Sequence, residues 1–146
     1  MGDKEQTSVY RAEYGRLHVL IVDDVALMRN ILKTTLRGFG FDRFDDASTG
    51  EEAVMRCRSV RYDLIFLDID MPEKSGLEAL SEIRGYNQNA FVVMVSAHSS
   101  AANVKHAIKL GADGFIVKPY AAKKVAQLIA KYEKGRASGD SAARPG

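Results

Sequence analysis

Strand-like runs and helical patterns alternate five times along this 146-residue chain, and that alternation narrows the fold more than any other feature. Residues 17–22 (LHVLIV) form a short β-branched run that stops at two aspartates. Residues 25–39 then place Met28, Ile31, Leu32, Leu36 and Phe39 at helical spacing, ended by Gly40. A shorter strand candidate, 44–47, is followed by a helix over 49–59 that opens with a capping-box pattern, Thr49 with Glu52. Residues 63–67 (DLIFL) read as a buried strand ending at Asp68, and 75–84 repeat the capping box with Ser75 and Glu78. Residues 90–95 (AFVVMV) end at Ser96, and 100–110 form a helix closed by Gly111. A fifth strand, 114–117, ends at Lys118-Pro119, and a last helix, 122–132, sets Val125, Leu128, Ile129 and Tyr132 on one face.

Strands that are apolar along their whole length need cover on both faces, as in a parallel sheet. Right-handed crossovers then lay helices on both sides. The expectation is an α/β fold: a doubly wound five-stranded parallel sheet in the flavodoxin-like order 2-1-3-4-5, with ligands at the carboxyl ends of the strands.

The chain divides into a polar leader (1–16), one domain (17–134) and a small, polar tail (135–146) expected to be flexible. The leader has no apolar run to act as a secretory signal, and nothing approaches the length of a membrane span. The single cysteine, Cys57, sits in a helical pattern as a small buried hydrophobe and fits a reducing compartment. A soluble, cytoplasmic protein is expected. A net charge of only +2 argues for neither a nucleic-acid binder nor a membrane-surface protein, no nucleic-acid or membrane partner is expected, and the 12-residue tail is too short for an output domain.

The chemistry collects at one edge. Strand 1 ends in Asp23-Asp24, strand 3 in Asp68, strand 4 in Ser96 and strand 5 in Lys118. In a parallel sheet these ends point the same way, so three carboxylates, a hydroxyl and an ammonium converge. Clustered carboxylates raise one another's pKa unless a cation joins them. Lys118 supplies one charge, and a hard divalent cation that keeps waters and uses few protein ligands, Mg²⁺, supplies the rest. A carboxylate can attack phosphorus while metal, lysine and hydroxyl hold the transferring oxygens. Each piece alone has a plainer reading: Asp23-Asp24 as a helix cap, Asp68 as turn chemistry, Ser96 as a loop serine, Lys118 as a surface lysine. None of those readings places all four at strand ends in this order.

At this point the residues are similar to those of a known family. The stretches LIVDD (20–24), DLIFLDIDMPEKSGLEAL (63–80), VVMVSAHS (92–99) and GADGFIVKPY (111–120) resemble the response-regulator receiver domains of two-component signalling. The first helix resembles the chemotaxis-type, CheY-like single-domain members. The resemblance implies that Asp68 is the phosphoacceptor, that Asp24 ligates Mg²⁺ directly, Asp23 through water and Asp70 through its backbone carbonyl. It further implies that Lys118 pairs with Asp68 and a phosphoryl oxygen, that Ser96 and Phe115 form the switch, and that Lys118-Pro119 is cis. Asp70 and His98 stand at positions that vary in the family and line the path of the hydrolytic water.

The implied function is a stand-alone response regulator. It would take its phosphoryl group from a sensor histidine kinase or a histidine phosphotransfer protein. It would signal by phosphorylation-dependent contact with a downstream protein, in chemotaxis or motility or as a phosphorelay intermediate. It would catalyse only its own phosphorylation and dephosphorylation. The output face would be the fourth helix, fifth strand and fifth helix, carrying Lys105, Lys109, Lys123 and Lys124, a basic set suited to an acidic segment. Two other classes are weighed. Asp68-Ile69-Asp70 fits the Asp-x-Asp motif of haloacid-dehalogenase-type phosphatases, but Asp23-Asp24 precedes it and little chain remains for a cap. A phosphorylation-independent module on the same fold would be expected to lack one of the site residues, and none is missing.

Overall fold

In the computed structural model, which describes residues 10–98 and 100–138, five parallel strands form one sheet. They are β1 (His18–Val22), β2 (Arg43–Ala47), β3 (Leu64–Asp68), β4 (Phe91–Ser96) and β5 (Gly114–Val117). Helices α1 (Ala26–Arg37), α2 (Gly50–Ser59), α3 (Gly76–Tyr86), α4 (Ala101–Lys109) and α5 (Ala122–Ser138) alternate with them. The sheet order is β2-β1-β3-β4-β5, as the alternation predicts.

The apolar strands are apolar throughout because successive residues serve opposite faces. Leu20, Val22, Ile65, Leu67, Val92 and Met94 belong to one core with residues of α2, α3 and α4, such as Val54, Leu80 and Ala107. Val19, Ile21, Leu64, Phe66, Val93 and Val95 belong to the other, under Leu32 and Leu36 of α1 and Val125 and Ile129 of α5. β2 (RFDDA) is the exception: it lies at the edge and only Ala47 is buried. Among the described residues no helix is long and apolar enough to cross a membrane.

Both predicted caps form, in different ways. At α3 the box is complete: Ser75 Oγ accepts the Glu78 N–H and Glu78 accepts the Ser75 N–H. At α2 Thr49 Oγ1 accepts the Glu52 N–H, but the Glu52 carboxylate takes the N–H of Ser48 instead of that of Thr49. The second half of that box is therefore shifted back by one residue.

Secondary structure continues past the 17–134 read from sequence at both ends. Residues 12–16 form a 3-10 turn, and Tyr14 within it is 1% exposed, stacked on Phe41 with ring centroids 4.7 Å apart. Its phenol is pushed up to about 12, first by burial and then by the Glu133 carboxylate of α5. Arg11 donates its backbone N–H to Phe39 O, and a Cβ on Gly40 (φ 114°) would lie 2.2 Å from Arg11 O, so this turn and the α1–β2 loop fit only with glycine there. At the other end α5 runs to Ser138 through Gly135, with Arg136 lying over the Tyr132 ring. Leader residues 1–9 and tail residues 139–146 lie outside the described residues.

Tyr14→Ala is expected to destabilise the protein by about 3 kcal/mol, the usual scale for emptying a buried aromatic site. That corresponds to a thermal midpoint lowered by roughly 10 °C. Calorimetry checks it: an unchanged midpoint would show that the leader turn contributes nothing to the core.

Candidate functional site

The carboxyl ends of the strands bring the predicted residues together. Asp23 follows β1, Asp68 ends β3, Ser96 ends β4, and Lys118 follows β5. Asp23, Asp68 and Ser96 are buried, Asp24 is exposed, and Lys118 lies between. The Lys118 ammonium stands 2.7 Å from Asp23 Oδ2 and 3.1 Å from Asp68 Oδ2. Lys118-Pro119 is cis.

The two buried aspartates are held in the same way, by turn bonds, whereas the helix-cap reading of Asp23-Asp24 is not met: the N-cap of α1 is Val25, with no side-chain cap bond. Asp23 Oδ1 accepts the Val25 N–H at 2.9 Å, a turn bond that leads into α1. Asp68 Oδ1 accepts the Asp70 N–H at 2.9 Å, a turn bond that leads out of β3. In both, turn chemistry fixes one oxygen and leaves Oδ2 facing Lys118. Asp23 Oδ2 lies against the Lys118 ammonium as a buried ion pair.

Electrostatics follow from this crowding. Burial raises the Asp68 carboxyl above its ordinary value, and the Asp23 charge adds to the rise, against the Asp70 N–H and Lys118. Burial works against the Lys118 cation, but hydrogen bonds and charge from Asp23 and Asp68 outweigh it and hold the ammonium above its ordinary range. Lys118 therefore stays charged at neutral pH.

One carboxylate oxygen from each of Asp23, Asp24 and Asp68 lies within 4.8 Å of the others. That is close to the ~4.2 Å between opposite ligands of an octahedral Mg²⁺. The donor set is all hard oxygen, and one ammonium against three carboxylates leaves the cluster short by the charge a divalent cation carries. The residues present fit Mg²⁺.

The other predicted residues divide. Asp70 is exposed, and its carboxylate accepts the Ser96 hydroxyl at 2.8 Å. His98 is exposed and reaches the site through its backbone, donating its N–H to Ser96 Oγ at 3.0 Å. Phe115 pairs in register with Met94 and is half-buried against the core that includes Ala107 of α4.

Several residues at and beside the site were not singled out from sequence. Arg29 of α1 donates through Nη1 to the Asp23 carbonyl at 2.5 Å and through Nε to Asp46 Oδ2 at 2.9 Å. Lys33, one turn on, reaches Asp46 Oδ1 at 2.5 Å. Burial opposes the Asp46 charge, but Lys33 and Arg29 together lower its carboxyl below the ordinary value. α1 thus grips the edge strand and the exit of β1 with one guanidinium. Gly76 packs the start of α3 directly on the backbone of Asp68. Tyr120 is half-buried, and burial, then the Asp23 and Asp68 charges, raise its phenol. A tyrosine two residues past Lys118 was the available signal for the last.

A family profile described as the response regulator receiver domain matches residues 19–130. The chemotaxis protein CheY of Thermotoga maritima is 40% identical over 116 residues, covering 80% of this chain and 97% of that protein. The CheY of Listeria monocytogenes is 42% identical over 118 residues, covering 81% and 99%. Among solved structures, the Borrelia burgdorferi CheX–CheY–BeF3–Mg²⁺ complex matches with a TM-score of 0.76 and 35% identity, over 85% of this chain and 95% of that one.

Proposed function

Because the chain belongs to the response regulator receiver domain family, we propose that it accepts a phosphoryl group on Asp68 from a phosphohistidine. The donor is a sensor histidine kinase or a histidine phosphotransfer protein. The observation that carries this reading is the setting of Asp68: a buried carboxylate at the sheet's mouth, oriented by the Asp70 N–H and Lys118, beside two further carboxylates.

In this reading Asp24 and Asp68 would hold Mg²⁺ directly and Asp23 through water, with the Asp70 carbonyl completing the protein's share. When bound there, the ion would supply charge neutralisation on the transferring oxygens. An Asp68 oxygen attacks phosphorus as the P–N bond to the donor imidazole breaks, and the imidazole takes up a proton. The Lys118 ammonium, already at Asp68 Oδ2, holds a phosphoryl oxygen. Ser96 moves to the phosphoryl group and Phe115 turns inward, carrying the change to the surface. Water attack on phosphorus then returns Asp68 and inorganic phosphate, with Asp70 and His98 setting the lifetime. The chain works as a cytoplasmic signalling domain and catalyses only its own modification.

The output face is α4, β5 and α5. Lys105, Lys109, Lys123 and Lys124 are exposed there, with Ile108 and Val117 also exposed. Exposed lysines together with exposed apolar side chains on these elements suit an acidic amphipathic segment of a downstream protein. The CheY relatives and the CheX complex support a chemotaxis or motility role.

Incubation with Mg²⁺ and acetyl phosphate, read by intact mass, tests the reading. One added phosphoryl group is expected, absent in Asp68→Asn and absent without Mg²⁺. No adduct, together with no beryllofluoride binding, would sink it. Many cycles of turnover on a generic phosphate ester would point to a phosphatase instead.

A further inference from the structure

Asp70 and Ser96 are joined by a bond that phosphorylation must break, and from it we infer that the Asp70 side chain is a latch on the switch hydroxyl. The inference rests on the phosphoacceptor reading of Asp68. Ser96 is fully buried and its one proton is committed: Oγ donates to Asp70 Oδ2 at 2.8 Å and accepts from the His98 N–H at 3.0 Å. A serine hydroxyl has one proton to donate. The same proton is what a phosphoryl oxygen on Asp68 needs, so Asp70 and the phosphoryl group are exclusive acceptors for it.

The latch is built into the backbone on both sides. The Asp70 N–H is fixed to Asp68 Oδ1 at 2.9 Å, so the loop carrying the latch is tied to the phosphoacceptor itself. The same Asp70 Oδ2 lies 3.4 Å from the Ala97 N–H, so one carboxylate oxygen spans the β3–α3 and β4–α4 loops. A carboxylate acceptor makes a charge-assisted bond, roughly twice as strong as a neutral one. The phosphoryl oxygen therefore gains only the difference between two charge-assisted bonds, and Asp70 weights the unmodified state. This role belongs to the side chain alone and is separate from any metal contact of the Asp70 carbonyl.

Beryllofluoride binding in saturating Mg²⁺, followed through backbone amide resonances of the full chain, tests the latch. Asp70→Ala is expected to tighten binding about tenfold, the scale of one hydrogen bond to a charged group. Asp70→Asn, which keeps size and turn but offers a neutral acceptor, should tighten it by less. Because removing a negative charge beside an anion also tightens binding, both changes are repeated with Ser96→Ala. The latch requires most of the gain to vanish there, since no proton remains to compete for. A gain that persists in full would assign the effect to charge and overturn the latch, as would equal affinities for the parent and Asp70→Ala. No binding by the parent chain would instead overturn the phosphoacceptor reading itself.

Discussion

Replacing Lys118 by alanine is expected to lower phosphoryl uptake from acetyl phosphate by roughly 10²–10³-fold, the scale for losing one fixed donor to a transition-state oxygen. The same change should destabilise the metal-free protein by about 3 kcal/mol at neutral pH, because it strips the cation from two buried carboxylates. The pH dependence has a definite sign. Burial and Asp23 already raise the Asp68 carboxyl, and Lys118 opposes that rise. Without the ammonium the folded-state value climbs further above the unfolded one. A carboxyl raised in this way contributes its stability in full below the unfolded value and loses it as pH rises through the folded value. The variant should therefore lag the parent most at neutral and alkaline pH and least in mild acid. Mg²⁺ should recover part of the difference, since it binds only the folded site. Calorimetry at several pH values, with and without EDTA, reads this directly. A deficit that is constant with pH would mean that Lys118 acts by packing.

Gly76→Ala should be nearly as damaging, for reasons of space. A Cβ at this position would lie 2.1 Å from Asp68 O, 2.7 Å from Asp68 C and 2.8 Å from Ile69 Cα, all of them backbone atoms. Nothing flexible can yield, so either α3 backs away or the end of β3 moves. Gly76 also donates its N–H to Ile69 O, a bond that the shift would stretch. If Asp68 is the phosphoacceptor as proposed, a displacement of about 1 Å at its carboxylate is enough for a loss on the order of 10²-fold. We expect phosphoryl uptake to fall by that factor, with a lowered thermal midpoint. Gly85, whose Cβ would meet nothing within 4 Å, provides the comparison: alanine there should leave uptake unchanged. Normal uptake by Gly76→Ala would show that the loop has slack which the packing does not suggest.

The fold was legible because two physical rules coincide in this chain. Runs such as 64–67 and 91–95 are apolar at every position, which a one-sided sheet does not allow, and helical stretches separate them. The convergence of Asp23, Asp24, Asp68, Ser96 and Lys118 was legible for the same reason, since parallel strands put their carboxyl ends on one side. What stayed hidden depended on where long side chains reach. Arg29 reads as a solvated helix position, and only the fold shows its guanidinium between Asp46 and the Asp23 carbonyl. Asp70 and Ser96 stand 26 residues apart, and their bond depends on how two loops are turned. Tyr14 sits in a polar stretch with no periodicity, so its burial had no pattern to announce it. Gly135 reads as a helix stop, at about 1 kcal/mol relative to alanine. The helix nevertheless continues, with Arg136 engaging both Glu133 and Tyr132.

The polar edge strand has a consequence for recognition. An exposed edge normally invites another strand to pair with it. On β2 the side chains of Asp45 and Asp46 are already committed within the chain. Asp45 takes the Tyr62 hydroxyl and faces His18, and Asp46 takes Arg29 and Lys33. An incoming strand would have to accommodate these charges at a border where only one residue in five is buried. The opposite border, β5, is only four residues long. Strand addition, the route by which many sheet proteins capture extended peptides, is thus poorly served at either side of this sheet. Recognition then falls to helix faces and loops, which the switch proposed for Ser96 would shift, whereas the ladder of a parallel sheet would hold them still.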